Sequence, residues 1–187
     1  MEYTMEERAA LIIEAVKKET GTDPVAIFEN VVANDFVRMH GPEHHVVDGA
    51  CILQAYHNAG GAVDMDAALK HMFTEGLRMP GGICGNWGVC GAVSSVGTAM
   101  SFLDRTSLTV ADNSWGKHML MTSEALHRLG EIGGPRCCKR DGMVAFMAAV
   151  KYINENTPVH LDASEFKCHY SPINKQCIGE RCPFYQK

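Results

Sequence analysis

Eight cysteines and nine histidines in 187 residues give this chain its chemical character. The segment GGICGNWGVCGA carries Cys84 and Cys90, with five residues between the thiols. Glycines on both sides, Gly82 and Gly85 among them, permit unusual backbone angles and close approach of the chain to a ligand. The helix that follows points backbone N–H groups into the loop, which favours an anionic cluster, a thiolate or a phosphate. The plain alternative is a flexible loop with two buried cysteines.

The segment GGPRCCKR places Cys137 and Cys138 side by side at an expected helix start, among Arg136, Lys139 and Arg140. Helix N-termini and nearby cations both lower a thiol pKa, so at least one of the pair is a candidate thiolate at neutral pH. Adjacent side chains on a helix diverge by roughly 100°, so one is expected to be a ligand and the other a nucleophile or packing residue. Cys168, Cys177 and Cys182-Pro183 follow near the end, with eight and four residues between the thiols. These spacings match neither the tight ferredoxin runs nor the paired knuckles of a zinc finger. The surrounding segment has little core of its own, and a metal would supply folding energy it otherwise lacks. Packing thiols or a disulfide are the alternatives.

HGPEHHVVD adds His40, His44 and His45, with Asp48 one turn on and able to orient either ring. Neutral imidazoles ligate metals or exchange protons near pH 7, and a helix N-terminus disfavours their cationic form. Surface histidines beside a helix cap are the alternative. Cys51 reads as a core residue.

These residues need elements to hold them. Apolar Ala9, Ile12, Ile13 and Val16 recur at helical spacing within a helix over 6–19, with Arg8 off that face. Asp23-Pro24 starts a second helix reaching about Ala33. Further helices are predicted over 43–58, from Asp64 to about Arg78, over 89–103, from Asn113 or Ser114 to near Gly130, and over 137–154. The 89–103 helix is rich in small residues and is expected at the centre of the fold. Val144, Met147, Ala148 and Tyr152 mark the apolar face of the last helix. Thr106–Asp112 is the only plausible strand.

The fold expected is all-α: a single domain over 1–187, with N-terminal helices over 1–34, a helical core with the cysteine and histidine motifs over 35–156, and an irregular cysteine-rich tail over 157–187. A hydrophobic fraction of 46 % supports a core without disulfide staples.

The net charge of −5, with no massed basic segment, speaks against nucleic acid. The uncharged stretch Met79–Leu103 has the length of a membrane span, but its proline, glycines and hydroxyl residues read as a loop entering a buried helix. The acidic N-terminus lacks a signal-peptide pattern, so a cytoplasmic protein is expected, where clustered cysteines are more often metal ligands or redox thiols than disulfides. No Ser-His-Asp arrangement, phosphate loop or dinucleotide fingerprint is evident.

The strings MHGPEHH, GGICGNWGVCGA, MTSEALHRLGEIGGPRCCKRDG and C-x-Y-S-x-x-N-x-x-C-I-G-x-R-C-P-F, taken in order from about Asp35, resemble a cysteine-rich family of unknown function, number 5714, found mainly in anaerobic archaea and bacteria. The resemblance implies positions rather than a reaction: His40, His44, His45, Cys84, Cys90, Cys137, Cys138, Cys168, Cys177 and Cys182. The Cys51 position is usually aliphatic in that pattern.

Three functions are open at this point. The first is a thiolate-bound metal, foremost an iron–sulfur cluster, in redox or sulfur-transfer chemistry. Cys84, Cys90 and Cys137 or Cys138 would form an inner site. Gly82, Gly85, Arg136 and Arg140 would frame it, and His44 and His45 would act as ligand or proton donor. Cys168, Cys177 and Cys182 would give a second site or a fourth ligand. The second is metal-free thiol–disulfide exchange, with Cys137 or Cys138 attacking. The third is a zinc-stabilised accessory or metal-delivery module. A small or sulfur-containing substrate, a redox partner protein and a second copy of the chain are the partners these readings admit.

Overall fold

The computed structural model describes residues 2–186; the first and last residues of the expected domain fall outside them. Local signals in the chain set the helix starts. Thr4 and Glu7 form a reciprocal capping box ahead of α1 (Met5–Val16). Asp23 accepts from the Val25 N–H at 2.9 Å ahead of α2 (Pro24–Val32), and Asp64 accepts from the Ala67 N–H at 3.1 Å ahead of α4 (Met65–Arg78). α1 buries Ala9, Ile12 and Val16 as its spacing requires. Arg8 departs from the expectation. It is buried, because its guanidinium reaches the Phe36 carbonyl at 2.7 Å while its stem packs inward.

The centre is occupied by α3 (His44–Asn58), which is buried from His44 through Tyr56. A helix covered on every face belongs in the middle of a bundle. α3 packs against α1, α2, α4, α6 and α8. The small-residue helix α6 (Gly91–Leu103), expected at the centre, packs against α3, α4, α7 and α8 and leaves Ser94, Gly97 and Thr98 half-covered. Its small residues permit close approach. The Gly49 N–H reaches Ser95 Oγ at 2.9 Å, and a Cβ at Gly49 would lie 2.5 Å from the Ser95 carbonyl.

A one-turn helix, α5 (Ile83–Asn86), interrupts the glycine loop where the sequence suggested none. The chain ends with α7 (Ser114–Ile132), α8 (Cys138–Asn156) and a tail whose regular structure is a three-residue 3-10 turn, Gly179–Arg181, and a single parallel bridge between Cys168 and Tyr185. The expected strand at Thr106–Asp112 does not form. That segment is turns and bends with Leu108 fully exposed, and there is no strand among the described residues to pair with it. Met147 also departs from the expected apolar face of α8. It is half-exposed and borders a groove between α8 and the tail with Val25, Phe166 and Phe184, while Met143, Phe146, Ala149 and Ile153 fill the core.

The domain is therefore mostly helical, of the all-α class expected, with an irregular tail. Among the described residues, no helix is long and apolar enough to cross a membrane.

Candidate metal and thiol site

Three helices begin at one place. His44 and His45 open α3, Cys90 caps α6, and Cys138 is the first residue of α8 with Cys137 as its cap. The loop from α4 folds over them through Gly82 and Gly88, both in the left-handed region at φ 83° and 68°, where a side chain would be strained. Together these starts enclose a pocket of about 290 Å³ lined by His40, His44, His45, Cys84, Cys90 and Cys138. A wider cleft of about 650 Å³ lies beyond it, lined by Gly82, Gly85, Arg136 and Arg140. The two cavities share Gly82, Cys84, Cys90, Arg136 and Asp141. Of the four residues expected to frame the inner site, Gly82 and Arg136 line both cavities, and Gly85 and Arg140 line the wider cleft alone.

The cysteine pair divides. Cys138 faces the pocket. Cys137 lines neither cavity and turns to the tail, where the Asn174 side-chain N–H₂ donates to its Sγ at 3.5 Å. Cys168, Cys177 and Cys182 line neither cavity. Burial raises the Cys182 thiol, and the Phe184 N–H and then the Arg140 charge oppose that rise. Cys51 is enclosed in the core, as expected. Among the described residues, no three Cys, His, Asp or Glu side chains stand close enough together to hold a metal ion without moving.

The electrostatics correct one expectation. Neither Cys137 nor Cys138 is favoured as a thiolate. Burial raises Cys137 and pushes Cys138 up to about 12. Burial and then the neighbouring Asp141 push Cys90 up to about 12. The cations around the pair do not offset this, because two of them are buried and engaged elsewhere. Lys139 Nζ donates to the Arg38 carbonyl at 3.3 Å and stands 3.4 Å from His44 Nε2; burial lowers its own pKa to about 8. Arg140 Nε donates to Asp141 at 2.9 Å and its Nη2 to the Pro135 carbonyl at 3.2 Å.

His44 and His45 are buried and His40 is half-buried, so none of the three is a superficial side chain. Burial lowers the pKa of His40 and His45, which keeps both rings neutral near pH 7. His45 Nδ1 is held by the Met79 carbonyl at 3.2 Å, and His40 Nε2 by Asn174 Oδ1 at 2.9 Å. Asp48 stands beside His44, 3.6 Å from its Nδ1, rather than orienting His45. The Asp48 carboxyl is fully buried, and burial raises its pKa.

Asp141 and Asn174 belong to this site although the sequence did not single them out. Asp141 Oδ2 faces Cys90 Sγ at 3.9 Å and the Cys137 N–H at 3.4 Å. An acid in the first turn after a capping residue is a local signal that would have found it. Asn174 has no signal that points to this site, since it reaches His40 and Cys137 across 134 and 37 residues, and its local bond accepts only from the Gln176 N–H.

Fold and site together define a helical domain whose thiols and imidazoles gather at converging helix starts. The chain belongs to the Family of unknown function DUF5714, whose pattern matches residues 12–185. No curated protein and no solved structure matches it.

Proposed function

We propose that this chain is a cysteine-ligated metal protein, holding an iron–sulfur centre and acting in redox or sulfur-transfer chemistry. The observation that carries the reading is the convergence of α3, α6 and α8, which sets Cys90 and Cys138 at helix starts around the pocket that Cys84 also lines. Helix starts favour anionic thiolates and the net negative charge of a cluster. Cys84 sits on α5 between glycines that give its segment backbone freedom, so it can close on a bound centre.

Metal-free exchange is the weaker reading. Attack requires a thiolate, and burial holds Cys90, Cys137 and Cys138 as thiols. Metal binding removes that obstacle, because coordination exchanges the thiol proton for a cation. The large cleft beside Cys84 and Cys90 would admit a small or sulfur-containing substrate, and a redox partner protein would supply or remove electrons. A cytoplasmic setting accords with exposed and half-buried free thiols.

Zinc in the tail is a second reading. The Gly179 N–H donates to Cys177 Sγ at 3.4 Å, and the Phe184 N–H lowers the Cys182 thiol against the effect of burial. Such donors support thiolate ligands.

The test is anaerobic purification followed by iron, sulfide and zinc analysis of wild type, Cys90→Ser, Cys138→Ser and Cys182→Ser. Brown protein with iron and sulfide, lost in Cys90→Ser and Cys138→Ser but kept in Cys182→Ser, is expected. Colourless protein without iron, even after anaerobic reconstitution, would overturn the iron–sulfur reading.

A further inference from the structure

The cleft beside Cys84 carries an uneven charge. The chain as a whole is negative, at −5, yet Asp141 is the only acid among the described residues that line the two cavities. Its charge is met by Arg140, Nε to Oδ1 at 2.9 Å. Arg38, which lines the inner pocket, is met by Glu43, Nη2 to Oε2 at 2.6 Å. Arg136 differs from both. It lines both cavities, it is exposed, and it has no ion pair or hydrogen bond among the described residues. Behind the larger effect of burial, its charge disfavours the cation of His40 and lowers the Cys138 thiol, so its field is felt inside.

The rest of the wall is compatible with an acceptor-bearing ligand. Arg140 spends Nε on Asp141 and Nη2 on the Pro135 carbonyl, and its Nη1 is enclosed with no hydrogen-bond partner among the described residues. A buried N–H without an acceptor is costly, so this wall is short of acceptors rather than donors. α7 contributes the half-buried Leu126 and Leu129. Gly130, Gly133 and Gly134 follow them, with open space where side chains would stand. Cys84 is exposed on the same cleft.

A guanidinium with all its N–H groups free is a planar fork that matches a carboxylate through two parallel hydrogen bonds. We infer that the cleft takes a small organic anion, a carboxylate foremost, whose charged group is bound by Arg136 beside Cys84. The leucines of α7 suit a short apolar body on that anion. The inference rests on the reading that substrate enters the cleft beside Cys84 and Cys90, and deepens it by giving that substrate a charge. Arg136 is then the residue that selects an anion over a neutral molecule of the same shape.

Iodoacetate is the probe, with neutral iodoacetamide as its near-isosteric partner. Both alkylate a thiolate, so the ratio of their rates at Cys84 cancels changes in the thiol's own pKa or exposure and leaves the effect of the reagent's charge. Peptide mass spectrometry reads the rates on the metal-free full chain as wild type, Arg136→Gln and Arg136→Lys. Circular dichroism checks that each variant is folded. The iodoacetate-to-iodoacetamide ratio at Cys84 should fall about fivefold in Arg136→Gln, the effect of one unit charge at 4 Å in bulk water. Arg136→Lys should keep most of it. At Cys177, an exposed thiol of the tail, the ratio should be the same in all three chains. A ratio at Cys84 that is unchanged in Arg136→Gln would overturn the assignment of an anion. Inertness of Cys84 to both reagents would remove the cleft as the place where substrate enters, and the assignment with it. Iron and sulfide content is measured separately, so the metal reading and this one fail independently.

Discussion

Asn174 fastens the tail to the start of α8: its Nδ2 donates to Cys137 Sγ at 3.5 Å across a separation of 37 residues. The same side chain holds His40 through Oδ1 at 2.9 Å and is itself buried. Replacing it with alanine removes the acceptor for the Gln176 N–H and for His40, and the donor to Cys137. Leaving buried groups unsatisfied costs on the order of 1–3 kcal/mol. Asn174→Ala should therefore lose about that much stability in urea unfolding, and Cys137 should become readily alkylated. Unchanged Cys137 labelling would show that the tail is held without this contact.

The reach of sequence reasoning follows the range of the interactions. Asp23 and Asp64 announce their helices because a cap is a local hydrogen bond. The shared pocket of Cys84, Cys90 and Cys138 was foreshadowed because each lies next to a glycine turn or a helix start. Thr106–Asp112 misled because a strand exists only with a partner, which its own residues do not encode. Lys139 and Arg140 also misled. Cations beside two cysteines read as favouring a thiolate, but Lys139 is buried against the Arg38 carbonyl, brought from elsewhere in the chain, and Arg140 is spent on its neighbour Asp141. The bond between Asn174 and His40 joins the tail to the segment before α3 across 134 residues, and no local pattern marks it.

Gly91 is set by the ring above it. A Cβ there would lie 2.1 Å from both Nε2 and Cδ2 of His45. Gly91→Ala should cost about 1–3 kcal/mol through overpacking against His45. Gly85 has open space where its Cβ would be, so Gly85→Ala should leave stability within about 0.5 kcal/mol of wild type. Thermal melts of both variants would decide it, and equal stability of Gly91→Ala and wild type would show that the His45 ring gives way freely.

Stability should depend on pH at both extremes. Burial alone would raise Glu43, but hydrogen bonds from the Arg38 guanidinium and from backbone N–H groups hold it down to about 2, against an ordinary value of 4.5. The unfolded chain then binds the proton first as pH falls, so stability present above 4.5 is lost toward 2. Glu43→Gln should flatten this acid limb. Lys139 has the same sign at the other end. Burial lowers it to about 8 from 10.5, so the unfolded chain holds the extra proton between these values and stability rises with pH across them. Urea midpoints measured across both windows, with Lys139→Met for the upper one, test the two assignments separately.

Arg140 and Asp141 form the ion pair on which the start of α8 depends. The Nε–Oδ1 distance is 2.9 Å and the side chains are 5 % and 9 % exposed. Burial raises the Asp141 pKa, and Arg140 opposes that rise by its charge and its hydrogen bond. Removing the carboxylate alone leaves a guanidinium enclosed without its counter-ion, which costs about 3–5 kcal/mol in comparable buried pairs. It also withdraws the acceptor from the Cys137 N–H and the neighbour of Cys90 Sγ. Asp141→Ala should therefore be far more damaging than any surface change. The double variant Arg140→Met, Asp141→Leu should recover much of the loss, because no unpaired charge stays inside. A double-mutant cycle in urea measures the coupling. A large favourable coupling places the cost of Asp141→Ala in the stranded cation. Strict additivity would instead assign the role of Asp141 to its contacts with Cys137 and Cys90, with Arg140 a bystander.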